Sequence, residues 1–184
     1  MPTSSSPLAR VAIGGRMQVG KTTAADYLVR RYGYVKYALA DPIKTIAREG
    51  FGWDGAKDEA GRRLLQEIGT VGRAYRTAIW LEQLATRLGD DAAELVVVDD
   101  VRLDLEADWL AGEGFHVVVL ERPPTLIGAL PANAARHAHE TESELARISG
   151  ATRIVNDGTF NALYARLDEV IGGAAVPAEP KGPA

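Results

Sequence analysis

Cysteine is absent from the 184 residues. That excludes disulfides, thiolate metal sites and cysteine nucleophiles, and it is compatible with a reducing compartment. Long hydrophobic runs are missing too: the longest, such as Val117 to Leu120, are far too short to span a bilayer. The opening MPTSSSP has neither a basic segment nor an apolar core, so secretion and membrane insertion are not expected and a cytoplasmic location is. No charge sign dominates either. A formal charge of -4 offers no general attraction to nucleic acid or to an anionic membrane, so any polyanion must be held by a local cluster. One cluster stands out, with Arg62, Arg63, Arg73 and Arg76 against Glu67 alone.

What is present is an ordinary globular composition, 46% hydrophobic and 25% charged. A chain of this length makes one domain that buries roughly 70% of the surface its unfolded form exposes. The Ser- and Pro-rich residues 1–7 and the Pro-rich residues 173–184 read as disordered ends around a single domain over 8–172. Within it, short apolar runs alternate with helical patterns. Leu8 to Ile13, Tyr34 to Ala40, Leu95 to Asp99, Phe115 to Glu121 and Thr152 to Val155 read as strands buried on both faces, which predicts a parallel sheet with helices on both sides. Lys21 to Arg31 reads as a helix burying Ala24, Ala25, Leu28 and Val29, and Phe160, Leu163, Leu167, Val170 and Ile171 form a second stripe. Gly89 and Gly112 read as helix stops, Thr141 with Glu144 and Thr159 as helix starts. Two intervals interrupt the alternation: 41–94, with two or three helices and no convincing strand, and the Pro-rich 122–140. Insertions that long usually serve function.

The sharpest motif is Gly15-Arg-Met-Gln-Val-Gly20-Lys21-Thr22, which satisfies G-x-x-x-x-G-K-[ST] between a strand and a helix. Its glycines let the loop curl so that the amides of Gly15, Met17, Val19, Gly20, Lys21, Thr22 and Thr23 can point at phosphate oxygens, aided by the positive end of the helix. Lys21 is expected to reach the β- and γ-phosphates, and Thr22 to bind Mg²⁺ through its hydroxyl. Such a loop also needs a carboxylate at the end of a neighbouring strand. Asp99 and Asp100 both qualify; one of them could instead cap the following helix, and Asp99 is the expected metal ligand.

Asp41, before Pro42, reads either as a catalytic carboxylate at the end of the second strand or as the N-cap of the next helix, with Pro42 at N1. Around the apolar face of Leu64, Leu65 and Ile68 lie Arg62, Arg63, Gln66 and Arg73; the arginine fork suits phosphate, although arginines on a helix also serve as solvated surface. Arg102 follows the strand-end carboxylates and must lie near them. Residues 122–140 read as a lid or as an exposed loop, with Arg122, Arg136 or the later Arg147 as candidate cations. His137 and His139 lack further ligand spacing and read as lid or surface residues; Trp53, Trp80 and Trp109 read as core or insertion-packing residues, with stacking of one of them on a base as the alternative.

Taken in order, Gly15 to Thr22, Ala40-Asp41-Pro42-Ile43-Lys44, Arg63-Leu64-Leu65-Gln66 with Gly69-Thr70, Ile79-Trp80, Asp100-Val101-Arg102 with Glu106, Glu121-Arg122-Pro123, His139-Glu140 through Ser143-Glu144, and Asn156-Asp157-Gly158-Thr159 resemble the phage-type deoxynucleoside monophosphate kinases, within the P-loop nucleoside and nucleotide kinases. The likeness runs from residue 11 to 171. It implies an α/β, three-layer P-loop kinase fold with a five-stranded parallel sheet, an acceptor-binding helical region over 41–94 and a short lid over 122–140. It also implies ATP and Mg²⁺ as cofactors, a dNMP acceptor, no stable nucleic-acid partner and a possible homodimer, in the host cytoplasm if the source is a phage. By matching position, Lys21, Asp41, Arg63, Asp100 and Arg102 are the implied catalytic set. Asp41, Arg62, Arg63, Gln66, Arg73, Arg102 and Arg136 are the implied acceptor contacts, with Asn156 and Gly158 bordering the donor adenine. Two departures are visible: Leu103 stands where an aromatic often follows Asp-Val-Arg, and the lid is not strongly basic. A kinase of hydroxyl acceptors (a nucleoside, a coenzyme precursor or a hydroxymethylated pyrimidine in phage DNA) is the competing reading, and a nucleotide-dependent switch or assembly ATPase a weaker one. A GTPase is disfavoured because no Asn-Lys-x-Asp motif is present.

Overall fold

A strand sends successive side chains to opposite faces, so an unbroken apolar run such as Val96-Val97-Val98 needs cover on both sides of its sheet. The computed structural model, which describes residues 7–56, 58–126, 148 and 150–172, supplies that cover. Five parallel strands, β1 (Arg10–Gly15), β2 (Val35–Tyr37), β3 (Val96–Val101), β4 (His116–Glu121) and β5 (Thr152–Val155), pair in the order β2-β3-β1-β4-β5. The helices are α1 (Lys21–Tyr32), α2 (Asp41–Phe51), α3 (Glu59–Tyr75), α4 (Ile79–Asp91), α5 (Asp104–Gly112) and α6 (Phe160–Ile171). Val97, Val11, Ile13 and Val118 pack under α1 and α6 through Ala24, Ala25, Leu28, Leu163 and Leu167. On the other face Val96, Val98 and Val119 pack under α4 and α5 through Leu81, Leu84, Ala107 and Leu110. This three-layer α/β arrangement brings the carboxyl ends of β1 and β3 side by side, and in open parallel sheets ligands bind outside that edge.

Several expected boundaries move, each for a local reason. β1 lies two residues later than expected and runs directly into the glycine loop; the Leu8 amide donates instead to the Ile171 carbonyl. β2 is only three residues long, because the Leu39 and Ala40 amides turn away to the Asp100 carboxylate. β3 extends to Val101 and carries both aspartates within the strand. Gly89 is not a stop: α4 continues through it and ends at Ala92, whose φ of 45° is left-handed. Of the two helical stripes, Val29 and Phe160 are exposed while their companions are buried or half-buried.

In the 41–94 interval three helices and no strand are found among the described residues, with α3 packed between α2 and α4. Gly72 lets α3 lie directly on the buried Trp80 ring, whose Nε1 donates to the Gly69 carbonyl at 3.1 Å. A Cβ at Gly72 would sit 2.2 Å from Trp80 Cζ2, whereas one at Gly89 would meet nothing within 4 Å. Gly72→Ala should therefore destabilise the protein by about 2–3 kcal/mol through overpacking. Gly89→Ala should stabilise it by about 0.5–1 kcal/mol through backbone entropy. Urea melts of the two variants check both signs.

Candidate active site

β1 delivers the chain to Gly15 with φ 144°, where a side chain would run into the Leu120 carbonyl at 2.6 Å and Val19 Cγ2 at 2.8 Å. Gln18 at φ 66° and Gly20 at φ 101° then turn the chain into α1. Gly20 is the N-cap and brings no side-chain acceptor, so the first-turn amides of Lys21, Thr22 and Thr23 keep their hydrogen-bonding capacity for a ligand. The loop is pinned from below. Val19 is fully buried, its carbonyl accepts Asn156 Nδ2 at 2.8 Å, and the Asn156 amide donates to the Glu121 carbonyl at 2.7 Å. Met17 and Thr22 are exposed on the outer rim, and Gly158 is exposed just before α6, whose N-cap Thr159 accepts from the Ala162 amide.

Lys21 Nζ donates to the carbonyls of Gly15 and Arg16, at 2.6 Å each. Burial, and then the Arg102 charge, pull its pKa down to about 8, against the opposing pull of Asp100 and Asp99. Those carboxylates arrive through an irregularity in pairing: β1 advances from Ala12 to Gly14 while β3 advances from Val98 to Val101, so β3 carries one extra residue at the Asp99-Asp100 step. Asp100 accepts the Leu39 amide at 2.8 Å and the Ala40 amide at 3.1 Å. Burial raises its pKa in spite of those bonds and of the Arg102 and Lys44 charges. Burial and the neighbouring Asp100 likewise raise Asp99, with Lys36 and Lys44 opposing. Among the described residues the Asp99 carboxylate accepts no hydrogen bond, and no group of three or more His, Asp or Glu could form a protein-only metal cage. One or two hard oxygen donors beside a phosphate cradle is the set that suits Mg²⁺, which keeps waters and phosphate oxygens among its ligands.

Asp41 is the first residue of α2, not its N-cap, which is Ala40; Pro42 accordingly stands second. Its Oδ2 accepts the Ala38 amide at 3.0 Å and Arg87 Nη1 at 3.2 Å, and its Oδ1 accepts Lys44 Nζ at 3.0 Å. Burial works against the charge, but the Lys44 and Ala38 bonds, with Arg87, outweigh it and hold the carboxyl below its usual range. Arg102 is exposed at the exit of β3, where its charge reaches Lys21 and Asp100. Arg73 is half-buried on α3 near Gly69, and its charge reaches Glu106.

Lys21, Asp99, Asp100 and Arg102 are thus brought to one sheet edge, and Arg73 stands on α3 with its charge felt at Glu106. Arg62, Arg63 and Gln66 are not: they are exposed, and Arg63 Nε pairs with Glu67 at 2.8 Å beside an open groove of about 490 Å³. Arg122 is half-buried just past β4. Arg136, His137, His139, Thr141, Glu144, Arg147 and residues 127–140 of the expected lid lie outside the described residues. Sequence reasoning gave no role to Lys44, Arg87 or Glu106. The Asp41–Lys44 pair has a signal, since residues three apart face each other on a helix. Arg87, on a different helix, has none.

The family model for deoxynucleotide monophosphate kinase matches residues 53–167, which begins beyond the glycine loop and still covers more than half of the chain. The chain belongs to the deoxynucleotide monophosphate kinase family. It is 26% identical to a protein of Acanthamoeba polyphaga mimivirus provisionally named a deoxynucleotide monophosphate kinase, over 90% of this chain and 97% of that one. It is 29% identical to an uncharacterized protein of Ictalurid herpesvirus 1 (strain Auburn) over 84% of its length, and spans 65% of that relative. Solved structures share the fold: a shikimate kinase from Acinetobacter baumannii (17% identity, 91% and 94% coverage, TM-score 0.57) and a gluconokinase from Sinorhizobium meliloti (15%, 91% and 95%, 0.55). The kinase is therefore a phosphotransferase of P-loop type that acts on nucleotides. Among its described residues no helix is long and apolar enough to cross a membrane.

Proposed function

We propose that the protein transfers the γ-phosphoryl group of ATP, with Mg²⁺, to a deoxynucleoside monophosphate, giving a dNDP and ADP. The observation that favours a phosphate acceptor over a hydroxyl is the state of Asp41. A hydroxyl acceptor needs a carboxylate willing to take its proton, whereas Lys44 and Arg87 hold Asp41 as a stable anion with lowered proton affinity. A monophosphate is already ionised at neutral pH and asks only for positioning and cations.

In this reading Lys21 and the loop amides bind the β- and γ-phosphates, and Asn156 and Gly158 border the adenine. Thr22 and Asp99 hold the metal, whose chemistry is charge neutralisation at the phosphates. Arg102 and Arg73 bind the acceptor phosphate, with Arg62, Arg63 and Gln66 along the outer acceptor groove, Arg136 on the lid, and Asp41 and Asp100 securing the strand ends. An anionic oxygen of the acceptor attacks the γ-phosphorus in line; the new P–O bond forms as the bond to the β,γ-bridging oxygen breaks, and that electron pair leaves with ADP. Incubating the protein with ATP and Mg²⁺ against the four dNMPs, the ribonucleotides, nucleosides and hydroxymethylated DNA tests the proposal. Transfer to a dNMP supports it; transfer to hydroxyl acceptors alone overturns it.

Two graded outcomes follow. Arg73→Ala should raise the dNMP KM about tenfold or more, the size of one charge-assisted bond, with the ATP KM unchanged. Arg63→Ala, in a solvated pair with Glu67, should move it less than about threefold. The second concerns pH. Lys21 has its pKa lowered to about 8 in the free protein, and bound phosphates raise it again. ATP affinity is therefore full below pH 8 and falls as the pH rises through 8, because the free amine must take up a proton to bind. Calorimetry at pH 8.5 in buffers of different ionisation enthalpy should show uptake of a sizeable fraction of a proton. Lys21→Arg, always charged, should show none.

A further inference from the structure

The first turn of α6 carries a large apolar side chain that the core does not use. Phe160 follows the N-cap Thr159 and is 67% exposed, while Leu163, Leu167 and Ile171 on the same helix are buried. Its ring is nevertheless held in place. It lies 6.3 Å from the Tyr164 ring at an interplanar angle of 16°, and Tyr164 stacks on Tyr27 of α1 at 4.0 Å and 4°. The innermost ring is fixed in turn: Tyr27 Oη donates to Asp168 Oδ1 at 2.6 Å, and Tyr32 Oη donates to the same oxygen at 2.7 Å. Three near-parallel rings thus form a ladder whose last rung, Phe160, is open to solvent.

The direction of the ladder gives the open rung its meaning. α6 begins just beyond the carboxyl end of β5, so Phe160 is the rung nearest the sheet edge that carries the glycine loop. The same helical turn abuts that loop: a Cβ built at Gly20 would meet Leu163 Cδ2 at 3.9 Å and the Asn156 amide at 2.8 Å, and Asn156 holds the Val19 carbonyl. We infer that Phe160 is the platform for the donor base, its ring preset by Tyr164 and Tyr27 to stack on the purine of a nucleoside triphosphate whose phosphates lie in the glycine loop. This rests on the donor half of the proposed function and adds the residue that supplies apolar contact area to the base. A ring already ordered against Tyr164 loses little freedom when a ligand covers it. Every base has a π face and Phe160 has no hydrogen-bonding group, so the stack gives affinity and leaves the choice between adenine and guanine to polar groups.

Calorimetry on the full chain with Mg²⁺ and two ligands, ATP and inorganic tripolyphosphate, separates the base from the phosphates. Phe160→Ala should weaken ATP binding about tenfold, the usual loss of one base stack, while tripolyphosphate binding and the melting temperature stay at their wild-type values. Phe160→Leu, which keeps apolar cover without a π face, should recover only part of that loss. Phe160→Trp should retain ATP affinity and gain an emission, above that of the three native tryptophans, that ATP quenches and tripolyphosphate does not. Unchanged ATP affinity in Phe160→Ala overturns the inference and leaves a surface aromatic. An equal loss for both ligands overturns it as well, because Phe160 would then be supporting the loop. A wild type that binds neither ligand refutes the donor site itself, whereas base-independent behaviour in a protein that binds tripolyphosphate refutes the platform alone. No acceptor enters the assay, so a failure of the dNMP assignment leaves this result standing.

Discussion

Lys21→Ala is expected to cut phosphoryl transfer by about 10³-fold or more while leaving the fold unchanged. A preorganised cation aimed at charge that develops on the transferring group is worth at least about 10²–10³ in rate, and Lys21 is the side chain of the glycine loop placed for it. Its ammonium contributes little to the fold. The two carbonyls it bonds belong to the loop itself, and α1 is anchored independently by Ala24, Ala25 and Leu28 against the sheet. Its lowered pKa also means that the folded state holds the charge less readily than water does, so removing it relieves a desolvation cost near neutral pH. The unfolded chain binds the Lys21 proton more tightly between pH 8 and its ordinary value of 10.5, so the stability lost to that charge is regained as the pH rises through this window. A melting temperature at or above that of the wild type together with a kcat reduced about a thousandfold meets the expectation. A kcat within tenfold of the wild type would mean that another cation carries the transferring charge.

Gly15→Ala should fail differently, losing nucleotide binding and stability together. At φ 144° an L side chain is strained whatever space surrounds it, and here the new carbon meets the Leu120 backbone carbonyl at 2.6 Å, which cannot rotate away. The expected loss is about 3 kcal/mol, with ATP–Mg²⁺ binding too weak for calorimetry. Gly20→Ala is the control. At φ 101° its added carbon meets the Asn156 amide at 2.8 Å, a side-chain end that can shift at the cost of its bond to the Val19 carbonyl, so the loss should be smaller. Urea melts and calorimetry on both variants would refute the loop geometry if Gly15→Ala bound ATP as the wild type does.

Much of the proposed donor side was legible along the chain because its parts are local. Gly15 to Thr22 is contiguous, the flanking strand and helix announce themselves by periodicity, and the Val96 run ends at Asp99 and Asp100 without any knowledge of the fold. The proposed acceptor side was legible only as a list of arginines. Periodicity alone does not say which flank of α3 faces the sheet. Packing decides it: Gly69 against Ile43 and Gly72 against Trp80 orient the helix so that Arg73 is half-buried while Arg63 stays in solvent. Asp41 shows the same limit. Its neighbours in sequence suggested a cap or a base, and the residue that most alters its chemistry from afar, Arg87, reaches it from α4.

The strand count, the parallel sheet, the glycine loop and the kinase class were determined by the sequence itself, because each follows from contiguous patterns of polarity and backbone freedom. The order of the strands, the shortening of β2 by Asp100 and the conversion of Asp41 into a held anion were decided only in the folded molecule. Those features depend on groups far apart in the chain meeting where water is scarce, and there partner and distance, not residue type, set what a charge can do.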